Sequence, residues 1–177
     1  KYPKIQVLPK PLLSPLFAAV KKMIHQNDIN TFLKQQQYAG PFAFVESVLD
    51  YFQFSYKFSS NQIENIPASG RVVIIANHPL GALDALSLIH LVKRVRNDIK
   101  VVANDMLNQI DQLKPILVGV NTFGEGVSKA SVKQINDALE REEALIIFPS
   151  GEVSRARPNG VKDTRWHRGF LTFATKN

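Results

Sequence analysis

From residue 72 onward, apolar runs of strand length alternate with stretches whose apolar positions recur at helical spacing. Val72 to Ala76, Ile99 to Ala103, Pro115 to Val120 and Ala144 to Phe148 read as four buried strands. Between the first two, Leu83 to Val95 is apolar nearly all round and ends in Lys93, Arg94 and Arg96, as expected of a buried helix with a basic last turn. Met106 to Ile110 reads as a short helix. Ser128 to Glu142 reads as a longer one with Val132, Ile135 and Leu139 on one face, and Ser131-x-x-Gln134 offers a capping box that would start it a turn later. Buried strands alternating with helices predict an α/β fold, a mainly parallel sheet flanked by helices.

Ahead of the turn-rich lead-in Asn65 to Gly70 the pattern changes. Leu12, Leu13, Leu16, Phe17, Val20, Met23 and Ile24 recur on one face, predicting an amphipathic helix. Asp28 to Gln37 predicts a second helix capped by Asp28 and ended by Ala39-Gly40-Pro41. Phe42 to Phe58 is the most aromatic stretch of the chain. A helix there would lie in a headgroup plane, pack its rings on the core, or do both with opposite faces. The expected division is a helical, membrane-associating segment over residues 1–58 and an α/β domain over 59–177.

A chain of 177 residues fits one such core without staples. It has no cysteine, which excludes disulfides, thiolate zinc sites and a cysteine nucleophile. No apolar run approaches the roughly 20 residues of a spanning helix. The net charge of +7 favours an acidic partner surface, anionic lipid or nucleic acid. Much of the excess is N-terminal: Lys1, Lys4, Lys10, Lys21, Lys22 and Lys34 face only Asp28 within residues 1–40. The start at Lys1, with no signal peptide after it, is what a processed or excised chain would show.

Two stretches carry chemistry. The first, Ile74 to Asp84, runs from a strand through Asn77-His78-Pro79-Leu80-Gly81 into a helix. Ligands of open α/β sheets bind beyond the carboxyl ends of the strands, which puts His78 at the crevice. A carboxylate close behind it could fix one tautomer of the imidazole and let it take a proton from a hydroxyl. The bland alternative is that Asp84 merely caps the next helix. The second stretch, Phe148-Pro149-Ser150-Gly151-Glu152-Val153-Ser154-Arg155, follows the fourth strand. Turn amides, hydroxyls and a guanidinium there would suit an anion, though a polar surface loop would read the same way.

Taken together and in this order, Asn77-His78-Pro79 with Asp84, then Phe148-Pro149-x-Gly151-Glu152, the motifs resemble those of the lysophospholipid and glycerol-phosphate acyltransferases. They are most similar to the hemolysin-like branch that includes lyso-ornithine-lipid acyltransferases, and the resemblance covers residues 60 to 174. It implies that His78 is the catalytic base and Asp84 its partner. It further implies that Asn77, Pro79, Gly81, Ser150, Gly151, Glu152 and Arg155 line the substrate-binding region. The donor would be an acyl thioester of coenzyme A or acyl carrier protein, and the acceptor a lyso-lipid hydroxyl. No metal or resident cofactor is expected, because a thioester is already activated and needs only a base, an oxyanion donor and an apolar channel.

The chain departs from the commoner family pattern in three places. Five residues, Pro79 to Leu83, separate histidine from aspartate instead of four, which fits the hemolysin-like branch. Ser150 precedes Gly151 where glutamate is usual, with Glu152 following, so the role of Glu152 stays open. Gly119 to Gly124, where the middle acceptor motif would fall, lacks its arginine, for which Arg155, Arg157 or Lys129 could substitute. The last family segment would lie beyond Asn177, as in a truncated chain.

Other constellations carry less. Phe123 to Lys129 does not satisfy the phosphate-loop pattern, and Ser150 lacks the hydrolase elbow. His25, His90 and His167 have no companions at metal-ligand spacing, so His90 is expected to be a packed histidine. Asp163 and His167, four apart beside Trp166, read as a helix-face pair in surface or packing roles, with Arg165 or Arg168 as phosphate binders in the alternative reading. The expectation is a peripheral enzyme on the cytoplasmic face of the cell membrane, with lipid and acyl-thioester partners, no nucleic acid and an undetermined oligomeric state. Its rival is a non-catalytic basic module that binds anionic lipid or nucleic acid.

Overall fold

The computed structural model describes residues 26–120 and 127–175. The amphipathic helix expected over residues 12–24 and the glycine-rich stretch 121–126 lie outside them. The chain forms two units, divided between Tyr38 and Ala39. In the first, α1 is Gln26–Gln35, and Asp28 sits within its first turn rather than capping it. A carboxylate there still favours the helix, because it faces the unpaired N–H groups of the helix start.

In the second unit α2 is Pro41–Tyr51, begun by Gly40 and a proline at the first position, where a missing N–H costs nothing. Gln53, at φ +50°, turns the chain away, so the helix covers only part of the aromatic stretch. Phe44, Val45 and Leu49 are buried, which answers the choice between membrane plane and core for that face. A short helix, α3 (Ser60–Ile63), is closed by a capping box between Ser59 and Gln62. Then come β1 (Val72–Ile75), α4 (Ala82–Lys93), β2 (Ile99–Asn104), two 3₁₀ turns at Asp105–Gln109 and Lys114–Ile116, and β3 (Leu117–Val120). The chain continues with α5 (Lys129–Glu140), β4 (Ala144–Ile147), β5 (Arg155–Arg157), β6 (Gly160–Lys162) and α6 (Gly169–Thr175).

The four long strands form one parallel sheet in the order β1-β4-β2-β3. The fold is therefore α/β, as the alternation of strands and helices predicts. The third strand is shorter than expected because Pro115 sits in the 3₁₀ turn before it. Helix α5 begins at Lys129 and not a turn later, because the Ser128 hydroxyl accepts the Ser131 N–H at 3.0 Å.

Connections β1→β2 and β3→β4 run in opposite directions along the sheet. Right-handed crossovers therefore put α4 and α5 on opposite faces. On the α5 face Val118, Ile135, Leu139, Leu145 and Ile147 form a cluster, joined by Val73, Val102, Phe170 and Phe173. Helix α4, packed beside α2, covers the other face. There the Tyr56 hydroxyl meets His90 Nδ1 at 2.7 Å, and burial raises the phenol above its usual range despite Arg94 nearby. His90 is thus a packed histidine. Lys93 and Arg94 in the basic last turn lie over the Phe42 and Phe58 rings. Among the described residues no helix is long and apolar enough to cross a membrane.

Candidate active site at the ends of β1 and β4

Strands β1 and β4 are neighbours in the sheet although Ile75 and Ile147, paired in register, lie far apart in sequence. The loops leaving their carboxyl ends must therefore meet. The His78 ring packs on Phe148 with centroids 4.3 Å apart. The Ser154 N–H donates to the His78 carbonyl at 2.8 Å. A Cβ added at Gly81 would come within 3.3 Å of Val153.

Gly81 ends the first loop at φ +68°, a conformation suited to glycine, and serves as the N-cap of α4. Asp84, in the first turn of that helix, turns its side chain back. Its Oδ2 accepts the Leu80 N–H at 2.6 Å and lies 3.4 Å from His78 Nδ1. Asp84 thus lies in the first turn rather than at the N-cap, ties the loop back through Leu80 and is the acid facing the imidazole. His78 Nδ1 is buried and has no hydrogen-bond partner at that distance; base–acid contacts in enzymes are commonly long before substrate arrives. The side chain keeps 18% of its surface exposed. With Nδ1 closed off, Nε2 is the nitrogen left to meet an acceptor. Burial lowers the His78 pKa, and Asp84 and Asp163 pull it partly back. The imidazole is neutral near pH 7, the state a base needs.

The second loop spends much of its polarity on itself. Ser150 is buried and its hydroxyl donates to the Glu152 carbonyl at 2.7 Å. Gly151, at φ +66°, closes the turn through its N–H to the Phe148 carbonyl. Glu152 pairs with Arg155 at 2.7 Å, and the hydrogen bonds from Arg155 and Thr164 hold its carboxyl below the usual range. Arg155 lies on the exposed strand β5 rather than in the loop. Asn77 is exposed and Pro79 half-buried. Backbone contacts bring the two loops together, while the guanidinium of Arg155 is engaged by Glu152.

A concavity of about 310 Å³, lined by Lys100, Lys114, Leu117 and Arg141 among others, lies at the amino ends of β2 and β3, the opposite end of the sheet. Its cations are occupied by Pro115, Asp111 and Glu143, so His78 and not this hollow marks the site. Among the described residues no three His, Asp or Glu side chains are grouped to hold a metal ion.

A family model described as Acyltransferase matches residues 5–177. The chain belongs to the acyltransferase family. Its curated relatives include a lyso-glycine lipid O-acyltransferase of Bacteroides thetaiotaomicron, 30% identical over 173 residues, and one of Phocaeicola vulgatus, 27% identical over 170 residues. The alignments cover 97% and 96% of this chain but 61% and 58% of those proteins. The acyltransferase chain thus spans about three fifths of their length. No solved structure matches it.

One residue the sequence left in a surface or packing role joins this candidate site. Asp163 Oδ1 accepts the His78 N–H at 3.2 Å and the Ser154 hydroxyl, and Oδ2 accepts Trp166 Nε1 at 2.7 Å. Burial would raise its carboxyl, but these hydrogen bonds outweigh it and hold the group below its usual value. The spacing to His167 pointed instead to a helix-face pair, but residues 163–168 are not helical. The hairpin before Asp163 went unread, although Pro158-Asn159-Gly160 between two short runs is a turn signal that points to it.

Proposed function

We propose that this acyltransferase moves a fatty acyl group from a thioester of acyl carrier protein or coenzyme A to the hydroxyl of a lyso-lipid. His78 Nε2 takes the hydroxyl proton as the oxygen attacks the thioester carbonyl. The tetrahedral intermediate collapses, the carbon–sulfur bond breaks, and the departing sulfur takes the proton from the imidazolium, leaving an ester and a free thiol. Asp84 orients the ring and steadies its charged form. Support comes chiefly from the family match together with a neutral imidazole facing an acid where two strand-end loops meet. The names of the relatives make a lyso-glycine lipid the first acceptor to try, with lyso-ornithine lipid and lysophospholipid as alternatives. The enzyme would work peripherally, on the cytoplasmic face of the membrane that supplies its acceptor.

The test is a thiol-release assay on the full-length protein, with each lyso-lipid in turn and product lipid measured in parallel. His78→Ala should lower transfer by at least about a hundredfold while leaving the melting transition in place. Transfer at a near-normal rate in that variant would refute the assignment of the base. Thiol release that needs no acceptor would point to a thioesterase instead.

A further inference from the structure

Strands β5 and β6 pair antiparallel as a small two-stranded sheet apart from the main one, with Arg157 opposite Gly160. Every residue of both strands is exposed. Between residues 155 and 168 the chain carries Arg155, Arg157, Lys162, Arg165 and Arg168 against Asp163 alone, and that acid is turned inward onto His78, Ser154 and Trp166. Arg155 is paired with Glu152, whereas Arg157, Lys162, Arg165 and Arg168 are exposed and have no ion pair among the described residues. Two apolar side chains stand among these cations: Val161 is 58% exposed and Trp166 37%. Leu80, beside the site, is also 58% exposed.

Both ends of this hairpin are pinned to the main chain of His78. Ser154, one residue before β5, donates to the His78 carbonyl, and Asp163, one residue after β6, accepts the His78 N–H. Whatever the hairpin rests on therefore sets the position of His78. We infer that the β5–β6 hairpin and the following segment to Arg168 dock on an anionic lipid surface, holding His78 at the level of the lyso-lipid headgroups. Unpaired cations supply attraction to anionic lipid. Val161 and the amphipathic Trp166 add the short apolar reach of an interfacial element, which an acidic protein partner would not require. This inference rests on the lyso-lipid reading for its purpose but not for its test.

Trp166 is the single tryptophan of the chain, so its emission reports directly on this surface. The 177-residue chain is titrated with vesicles of phosphatidylcholine alone and of phosphatidylcholine mixed with phosphatidylglycerol. Emission should shift to the blue with the mixed vesicles only, and salt should weaken the effect. The variant Lys162→Glu, exposed and outside the site, should bind the mixed vesicles at least about tenfold more weakly. It should also lose turnover of vesicle-embedded lyso-lipid while keeping that of a dispersed short-chain acceptor. Lys162→Gln should fall between, and an unchanged circular dichroism spectrum checks the fold.

Unaltered vesicle affinity in the charge-reversed protein would overturn the proposal, as would unaltered affinity joined to a raised KM for an acyl carrier protein thioester, which would assign the surface to that carrier. Charge-dependent binding in a protein that turns over no acceptor would uphold the docking surface and refute the acyl-transfer reading.

Discussion

Arg96 allows the stabilising role of one side chain to be worked through. It is 5% exposed, and its guanidinium makes five hydrogen bonds. Nε and Nη2 reach the two oxygens of Asp98 at 2.7 and 2.6 Å, Nη1 reaches the carbonyls of Pro67 and Gly70 at 3.1 and 2.7 Å, and Nη2 also reaches that of Glu142 at 2.7 Å. One planar fork thus joins the lead-in to β1, the entry to β2 and the turn after α5. Arg96→Met keeps much of the volume but leaves three main-chain carbonyls without their donor, and these cannot be removed by mutation. Asp98 is 45% exposed and recovers water, so its share is discounted. At about 1 kcal/mol or more for each stranded carbonyl, plus the lost charge-assisted pairing, the expected loss is about 3–5 kcal/mol. That is a large part of the ~5–15 kcal/mol that holds a domain folded. Arg96→Lys should lose nearly as much, because an ammonium cannot reproduce the fork. Urea denaturation at unchanged m-value measures it, and activity per folded molecule should stay the same, since Arg96 lies away from His78. A loss under about 1 kcal/mol for Arg96→Met would refute the reasoning, because the carbonyls would then be finding other donors freely.

Because burial lowers the His78 pKa, the base stays neutral through the ordinary histidine value of about 6.5, and the acid limb of kcat/KM should lie below it. By linkage, the stability contribution of this group is full above that value and is lost as pH falls toward the lowered folded one; a pH series of denaturation midpoints reads it. Asp163→Asn removes a carboxylate that pulls the His78 pKa upward, so the acid limb should move further down. A shift upward would contradict the electrostatic assignment. Gly81→Ala forces a side chain into φ +68° and against Val153, so it should cost about 1–3 kcal/mol. It should also reduce turnover more than stability, since Leu80 and Asp84 hang on that turn; thermal melts alongside rate measurements separate the two.

The sequence by itself determined the elements and much of the chemistry. Buried strands such as Ala144 to Ile147 and the one-sided pattern of Ile135 and Leu139 encode their periods locally, and the Asn77-His78-Pro79 and Phe148-Pro149 motifs named the two loops that meet at the candidate site. It could not assign Arg96, which reads as one more cation at a helix end, because beyond its neighbour Asp98 its acceptors come from two segments distant in sequence, Pro67 to Gly70 and Glu142. Nor could it say that Asp84 holds the Leu80 N–H and faces His78 at once, since that depends on the backward turn set at Gly81. Asp163 stayed illegible for the same reason: its partners are the main chain of His78 and the side chains of Ser154 and Trp166, gathered only when β1 and β4 lie side by side. Periodicity is a property of neighbours along the chain, whereas a site assembled from strand ends exists only after the sheet has chosen its order.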